Sequence, residues 1–321
     1  MGEVVEQIKS EGAEAVACVF PGQGSQYVGM GQALYRDYPL VRQTFTQASA
    51  ALGFDLASLC FEGPAELLTD TLNAQPAVLT LSIALWRVLQ EGPFDSPRPL
   101  LFAGHSMGEY SALVAAGALE FTDALRLVRR RGELMQAAGR TYPGGMAAVI
   151  GLDEAMVERV CAQVQAEAGG VVGMANYNSP GQIVISGDQA SLGRATSLAE
   201  EEGARRVIPL AVSVAGHSPL MAPAAEAFGK VVENTPIRRA QTPVVANVSA
   251  QPIEEPEEIR RELVAQLTSP VRWVESVKYM ITQGVDTFVE VGPGDVLRGL
   301  IRRIDRGVKG RGVEEIIEGP Q

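Results

Sequence analysis

The sequence predicts an α/β protein, in which a large parallel sheet flanked by helices is interrupted by a smaller, differently built unit. Three observations carry that prediction. Short, almost wholly apolar runs such as Val16–Phe20 and Leu100–Ala103 alternate with helical patterns, which is how a parallel sheet covered on both faces reads. The rhythm changes after Pro143-Gly144-Gly145 and changes back after His217. The 321 residues are 46% hydrophobic, ample material for a sizeable core.

The first strand, Val16–Phe20, runs into the loop Pro21-Gly-Gln-Gly-Ser-Gln26, and a helix is expected from about Tyr27. Glycines at 22 and 24 let backbone amides approach a bound atom closely. The loop lacks the third glycine and the later acidic residue of a dinucleotide site, and it lacks the G-K-[ST] of a P-loop. A plain strand-end turn is the alternative. Pro76–Leu89 is apolar nearly all round and reads as a buried helix, and Gly92–Pro99 as a loop. Leu100–Ala103 is the next strand, followed by Gly104-His105-Ser106-Met107-Gly108 and a helical stretch from Glu109 to Ala118. A strand, a G-x-S-x-G turn and a helix form a nucleophile elbow, the device of α/β-hydrolase-like sheets, in which a strained turn presents a serine hydroxyl above the sheet. The helix N-terminus behind it offers unpaired N–H groups to a developing oxyanion. Thr122–Ala138 is helical and carries Arg129, Arg130 and Arg131. Successive residues are ~100° apart, so at most one or two of these face inward.

Met146–Ile150 is strand-like, Asp153–Ala168 helical, and Val171–Asn176 and Gln182–Ser186 are strands joined by the turn Asn178-Ser-Pro-Gly181. Ser191–Glu202 is helical and Arg206–Val212 a strand again. That order, β-α-β-β-α-β, is the ferredoxin-like or split βαβ unit. The expected division is a catalytic α/β domain over 15–141 and 213–306, a small subdomain over 142–212, and flexible tails at 1–14 and 307–321. Thr242–Asn247 and Thr287–Val291 return to strands of the large domain, and Asp295–Ile304 to a helix. A cleft between the two units is a favoured place for a ligand.

A serine nucleophile needs a base, and the chain has two histidines. His105 adjoins Ser106 in the elbow, so its side chain points elsewhere. His217, after the apolar run 210–215 and before Pro219, is the candidate base; a buried, hydrogen-bonded ring is the competing reading of a lone histidine. Cys18, Cys60 and Cys161 are three scattered cysteines without metal-ligand spacing. They read as reduced core thiols, and no metal site is expected. A net charge of −11 argues against a nucleic-acid binder. No apolar stretch of about 18 residues is free of charge or helix breakers, and Met1–Glu14 is too polar and acidic for a signal peptide. The expectation is a soluble cytoplasmic protein that does not use a membrane.

Seven blocks in one order resemble the malonyl-CoA:acyl carrier protein transacylase family: F-P-G-Q-G-S-Q, G-H-S-M-G-E-Y, R-R-G-E-L-M-Q at 130–136, N-Y-N-S-P-G-Q at 176–182, G-H-S-P-L-M at 216–221, Q-L-T-S-P-V-R-W at 266–273 and E-V-G-P-G at 290–294. The resemblance spans about residues 15–306. Met107 stands where leucine is common, and Gly216 occupies a position that varies with the acyl group accepted. The resemblance implies malonyl transfer from malonyl-CoA, through a malonyl-serine, to the phosphopantetheine thiol of acyl carrier protein, without a cofactor, by a monomer serving fatty-acid or polyketide synthesis. Residue by residue it implies Ser106 as nucleophile, His217 as base, the backbone amides of Gln23 and Met107 as oxyanion donors, Arg131 as partner of the malonyl carboxylate, and the Gln266 carbonyl as the group that orients His217. It also places Arg205, Arg206, Arg302 and Arg303 near the cleft mouth, where CoA phosphates and the acidic carrier approach. By sequence spacing the basic run Arg298, Arg302, Arg303, Arg306, Lys309 and Arg311 is opposed only by Asp305, and 298, 302 and 306 share a face if the helix reaches that far. Two other readings stay open: a serine hydrolase with a carboxylate third member, whose Ser…Asp/Glu…His order the chain permits, and a non-catalytic carrier-binding module.

Overall fold

Among the described residues ten strands form: β1 (Val16–Phe20), β2 (Leu101–Gly104), β3 (Gly144–Ile150), β4 (Val172–Ser179), β5 (Gln182–Asp188), β6 (Arg206–Pro209), β7 (Val244–Val245), β8 (Pro252–Ile253), β9 (Thr287–Glu290) and β10 (Lys309–Gly312). The computed structural model describes residues 14–92, 94, 98–212 and 214–317. Residues 1–13 and 318–321 of the expected tails, and part of the 92–99 loop, lie outside them.

Every residue of β1 and β2 is buried, because each strand is covered on both faces; that is why their sequences read as continuous apolar runs. The large sheet has the order β10-β9-β1-β2-β7-β8. It is parallel from β10 to β7, and β8 folds back antiparallel on β7. The helix Thr71–Glu91 packs against Pro39–Leu52 and Phe121–Thr141 on one side of this sheet. Asp70 caps it by accepting the Leu72 N–H. Pro76 leaves the Leu72 carbonyl without its helical donor, and Arg129 Nη1 fills the gap at 2.9 Å. By length and composition alone this helix could cross a membrane, although it contains Pro76 and Arg87. Its apolar perimeter is instead explained by packing all round, with 78% of the relevant window buried inside the fold.

The second sheet is antiparallel, in the order β4-β5-β3-β6, with the helices Glu154–Ala168 and Gln189–Glu201 forming its core with one face. β4 anchors it to the large sheet's side: Tyr177 N–H donates to the Val271 carbonyl and Val271 N–H to that of Ala175.

One expectation is corrected. Residues 307–317 are not a flexible tail. Lys309–Gly312 pair in parallel with β9, and the short helix Val313–Ile317 buries Val313 and Ile317. A free sheet edge accepts a strand whatever its side chains, because the pairing is made by backbone groups. The three cysteines are free and buried, and burial pushes Cys60 and Cys161 up to about 12.

Candidate active site

The elbow follows from steric necessity at two glycines. A Cβ on Gly104 would lie 2.1 Å from the Gly108 backbone, and one on Gly108 would lie 2.2 Å from the Phe20 carbonyl oxygen. The turn between β2 and the helix Gly108–Ala115 is thus wound tightly against β1. Ser106, at its apex, has φ of 50°, a left-handed conformation costing about 1–3 kcal/mol for a residue with a Cβ. Its N–H donates to Asn247 Oδ1 at 2.7 Å, and Gln266 Nε2 donates to its carbonyl at 3.1 Å. Asn247 Nδ2 also donates to the Gly104 carbonyl at 2.7 Å.

His217 faces the hydroxyl, with Nε2 2.8 Å from Ser106 Oγ. Its Nδ1 lies 2.8 Å from the Gln266 carbonyl and 3.2 Å from that of Ser269. Two carbonyls can only accept, so Nδ1 carries the proton and Nε2 is free to accept from Ser106. His217 too has positive φ, 59°. Burial, then the Arg131 charge, push its pKa down to about 3, against the pull of the two carbonyls. His105 is turned away, with Nε2 2.7 Å from Asn178 Oδ1 and its ring edge-on to Trp273.

Arg131 lies on the inward stripe of its helix with Val128 and Met135 and is 2% exposed. Its guanidinium donates to Gln75 Oε1 and Gln266 Oε1, each at 3.0 Å, and to Ser106 Oγ at 3.2 Å. These partners are all neutral, and Nε has no acceptor. A buried cation held only by neutral oxygens is a site for an anion. Arg130 pairs with Glu133 at the surface, as expected for a solvated arginine. Arg129 is half-buried instead: it seals the Pro76 gap and its guanidinium packs over Phe54.

Between the sheets lies a cavity of about 340 Å³, lined among others by Gln23, Ser106, Met107, Arg131, Met146 and His217. Neither Gln23 N–H nor Met107 N–H donates to a protein acceptor among the described residues. The Gln23 side chain is fixed from behind: Thr71 Oγ1 donates to its Oε1 at 2.8 Å, and Gln75 Nε2 donates to Thr71. Gln75 thereby ties the Gln23 loop to Arg131.

The sequence reading did not single out Asn247, Gln75, Glu109 or Glu262. Glu109, fully buried, accepts from Gln266 Nε2 through Oε2 and from Asn247 N–H through Oε1. Burial and the neighbouring Glu262 push its carboxyl well up. Glu262, which accepts the Val248 N–H at 2.9 Å, is pushed up to about 7, chiefly by burial. A lone carboxylate in the otherwise apolar Glu109–Ala118 stretch was the available signal.

The arginines of the proposed docking surface divide. Arg205, Arg206 and Arg303 line one open pocket with Ser179–Gln182, beside the strand β6 whose continuation, Leu210–Val212, borders the cleft. Arg302 is exposed but does not line it. The basic run is less free than its sequence suggests. Arg298 pairs with Glu290 and Glu315, and Lys309 and Arg311 both pair with Glu14. The helix also ends at Ile304, so Arg306 does not extend the face of Arg298 and Arg302.

Residues 17–316 match the family described as the acyl transferase domain. The chain is similar to the malonyl CoA-acyl carrier protein transacylase of Bacillus subtilis, with 49% identity over 294 residues that cover 92% of each chain. Among solved structures it is similar to the malonyl CoA-acyl carrier protein transacylase of Coxiella burnetii, with a TM-score of 0.91 and 44% identity, covering 95% of this chain and 96% of that one. A malonyl-transacylase solved in complex with its type II polyketide-synthase acyl-carrier protein is equally similar, with a TM-score of 0.91 and 44% identity, covering 95% and 99%.

Proposed function

This chain belongs to the acyl transferase domain family, among the malonyl-CoA:acyl carrier protein transacylases, and on that premise we propose how its own residues carry the transfer. The enzyme moves a malonyl group from malonyl-CoA to the phosphopantetheine thiol of acyl carrier protein. In our reading Ser106 Oγ attacks the thioester carbonyl while its proton passes to His217 Nε2. The tetrahedral oxyanion is received by the N–H groups of Gln23 and Met107, each such donor being worth ~3 kcal/mol. Collapse expels the CoA sulfur, which takes the proton from His217, and leaves malonyl-Ser106. The carrier's thiol then gives His217 its proton and attacks the ester. The second collapse returns the proton to Ser106 and releases malonyl-carrier, a ping-pong cycle.

The observation that carries this reading is the line from Ser106 Oγ through the His217 ring to the Gln266 carbonyl, 2.8 Å at each junction. A carbonyl orienter stabilises imidazolium less than a carboxylate would, which suits a proton held only briefly between Ser106 Oγ and a thiol sulfur. Arg131 is proposed to take the malonyl carboxylate in its guanidinium fork. Arg205, Arg206, Arg302 and Arg303 are proposed contacts for CoA phosphates and the carrier. We read residues 142–212 as the inserted subdomain and the enzyme as a cytoplasmic monomer without a cofactor, acting in fatty-acid or polyketide synthesis.

Intact-mass measurement after malonyl-CoA treatment tests the route. A single malonyl adduct should map to Ser106, vanish in Ser106→Ala, form ~10²-fold more slowly in His217→Ala, and discharge onto holo carrier protein. An adduct on Ser25 or Ser218, or free malonate released at full rate without the carrier, would overturn it.

A further inference from the structure

Beneath the nucleophile, one buried carboxylate gathers the groups that grip its main chain from both sides. Ser106 N–H is held by Asn247 Oδ1, and Ser106 C=O by Gln266 Nε2. Asn247 and Gln266 come from segments 19 residues apart, one following β7 and the other ending the helix Pro256–Ala265. Both converge on Glu109, which accepts the Asn247 backbone N–H with one oxygen and the Gln266 side-chain amide with the other. Glu109 itself sits three residues beyond Ser106, in the first turn of the helix that the elbow opens. Asn247 Nδ2 closes the ring by donating to Gly104, on the far side of the turn. Asn247, Glu109 and Gln266 are 1%, 0% and 0% exposed, so each lost bond would leave a buried polar group unpaired.

We propose that Asn247 and Glu109 are positioning residues for acyl transfer, forming with Gln266 a clamp that fixes both peptide groups of Ser106 in its left-handed attacking conformation. The inference rests on Ser106 being the nucleophile. The amide of Asn247 suits the position because it must accept at Ser106 and donate at Gly104 simultaneously, which neither a carboxylate nor an aliphatic side chain can do. The carboxylate of Glu109 suits its own position because both facing groups are N–H donors. A glutamine there would offer one acceptor to two donors. Glu109 also sets the orientation of the Gln266 amide: with Nε2 drawn to Glu109 and Ser106 C=O, Oε1 is left facing Arg131. Freed from the clamp, Ser106 can relax toward ordinary φ, and a shift of about 1 Å in a nucleophile costs on the order of 10²-fold in rate.

The test is single-turnover acylation of Asn247→Ala by malonyl-CoA and by acetyl-CoA, with amide hydrogen exchange over 104–108 and a thermal melt. Acylation should slow ~10²-fold, by the same factor for both donors, with the apparent KM for malonyl-CoA within about twofold, because Asn247 itself bonds Ser106, Gly104 and Glu109 and makes no contact with Arg131. Exchange at the Ser106 amide should rise while the rest of the folded protein stays protected. Glu109→Gln should slow acylation ~10-fold, keeping one of its two bonds. Should Asn247→Ala not fold, Asn247→Ser supplies the same readouts. A folded Asn247 variant with wild-type acylation, or one whose loss is recovered fully by assaying further below its melting temperature, overturns the clamp. Its failure is distinct from that of the nucleophile assignment, which fails only if wild-type protein carries its adduct elsewhere.

Discussion

Replacing Arg131 with alanine should convert the enzyme from a malonyl-selective to an acetyl-tolerant acyltransferase. The guanidinium is buried and is held by Gln75 Oε1, Gln266 Oε1 and Ser106 Oγ at 3.0–3.2 Å, with no carboxylate in contact. A malonyl carboxylate entering the cleft would gain two charge-assisted hydrogen bonds, each worth about 1.5–3 kcal/mol, or roughly 3–6 kcal/mol together. At 1.4 kcal/mol per decade, truncation should lower kcat/KM for malonyl-CoA by ~10²–10⁴-fold. Acetyl-CoA makes neither bond. It should hold its rate to within about threefold or gain, because removing the cation also removes the second-largest cause of the depressed His217 basicity. Arg131→Lys keeps a point charge but loses the fork, and should fall between. Single-turnover acylation with the two donors, read by intact mass, gives the ratio directly. Equal losses for both acyl groups would refute the charge-pairing argument and make Arg131 a structural residue.

The pKa of His217, near 3 in the folded protein against a reference near 6.5, has two consequences. The base stays neutral as pH falls from 7 to 5, so the acid limb of kcat/KM for acylation should lie well below pH 6.5; a limb centred at 6.5 would show that the ring is solvated. The unfolded chain takes that proton first, so this group's contribution to stability is complete above pH 6.5 and is lost as pH falls toward 3, which a chevron or melting series in the His217→Ala background should flatten. Glu290, buried, accepts the N–H groups of Leu297 and Arg298, both at 2.9 Å, at the start of the Val296–Ile304 helix. Glu290→Ala leaves one buried and one half-buried donor unpaired and should cost about 1–3 kcal/mol in denaturant unfolding, with Glu290→Gln recovering roughly half. Charge reversal of Arg205, Arg206 and Arg303 together should raise KM for carrier protein and for malonyl-CoA and flatten the salt dependence of both, while leaving kcat for acylation nearly unchanged; rates that ignore both charge and salt would remove that pocket from the docking path.

What could be read from the sequence was what local pattern determines. β1, β2 and the elbow are legible because strands covered on both faces are uniformly apolar, and because only glycine tolerates the approach at 104 and 108. His217 is legible by elimination, from a chain with two histidines. Arg131 was separable from its neighbours only by resemblance, although the inward stripe of Val128 and Met135 selects it on geometry. Asn247 was beyond reach. A single asparagine after Val244-Val245 acquires its role only when β7 pairs with β2, a register that no local pattern encodes. The charge pairs of the C-terminal arginines were invisible for the same reason: Lys309 and Arg311 meet Glu14 across 295 and 297 residues, a separation at which sequence proximity counts for nothing.

The strand order carries a consequence for how the chain is made. β1 is the third strand of the sheet from one edge, between β2 and β9, with Val16 opposite Thr287 and Ala17 opposite both Leu101 and Phe288. An early strand thus waits for a partner some 270 residues downstream. At synthesis rates of about 5–20 residues per second, that is a delay of roughly 14–54 s during which a wholly apolar strand has an unpaired side. Such an edge invites pairing with other chains, and non-local closure is the slow step in sheets of this kind. The β-α-β-β-α-β unit, whose strands pair within residues 144–209, has no such dependence. It can fold while β1 still lies open, so the small sheet should gain protection first and the catalytic sheet only once β9 has emerged.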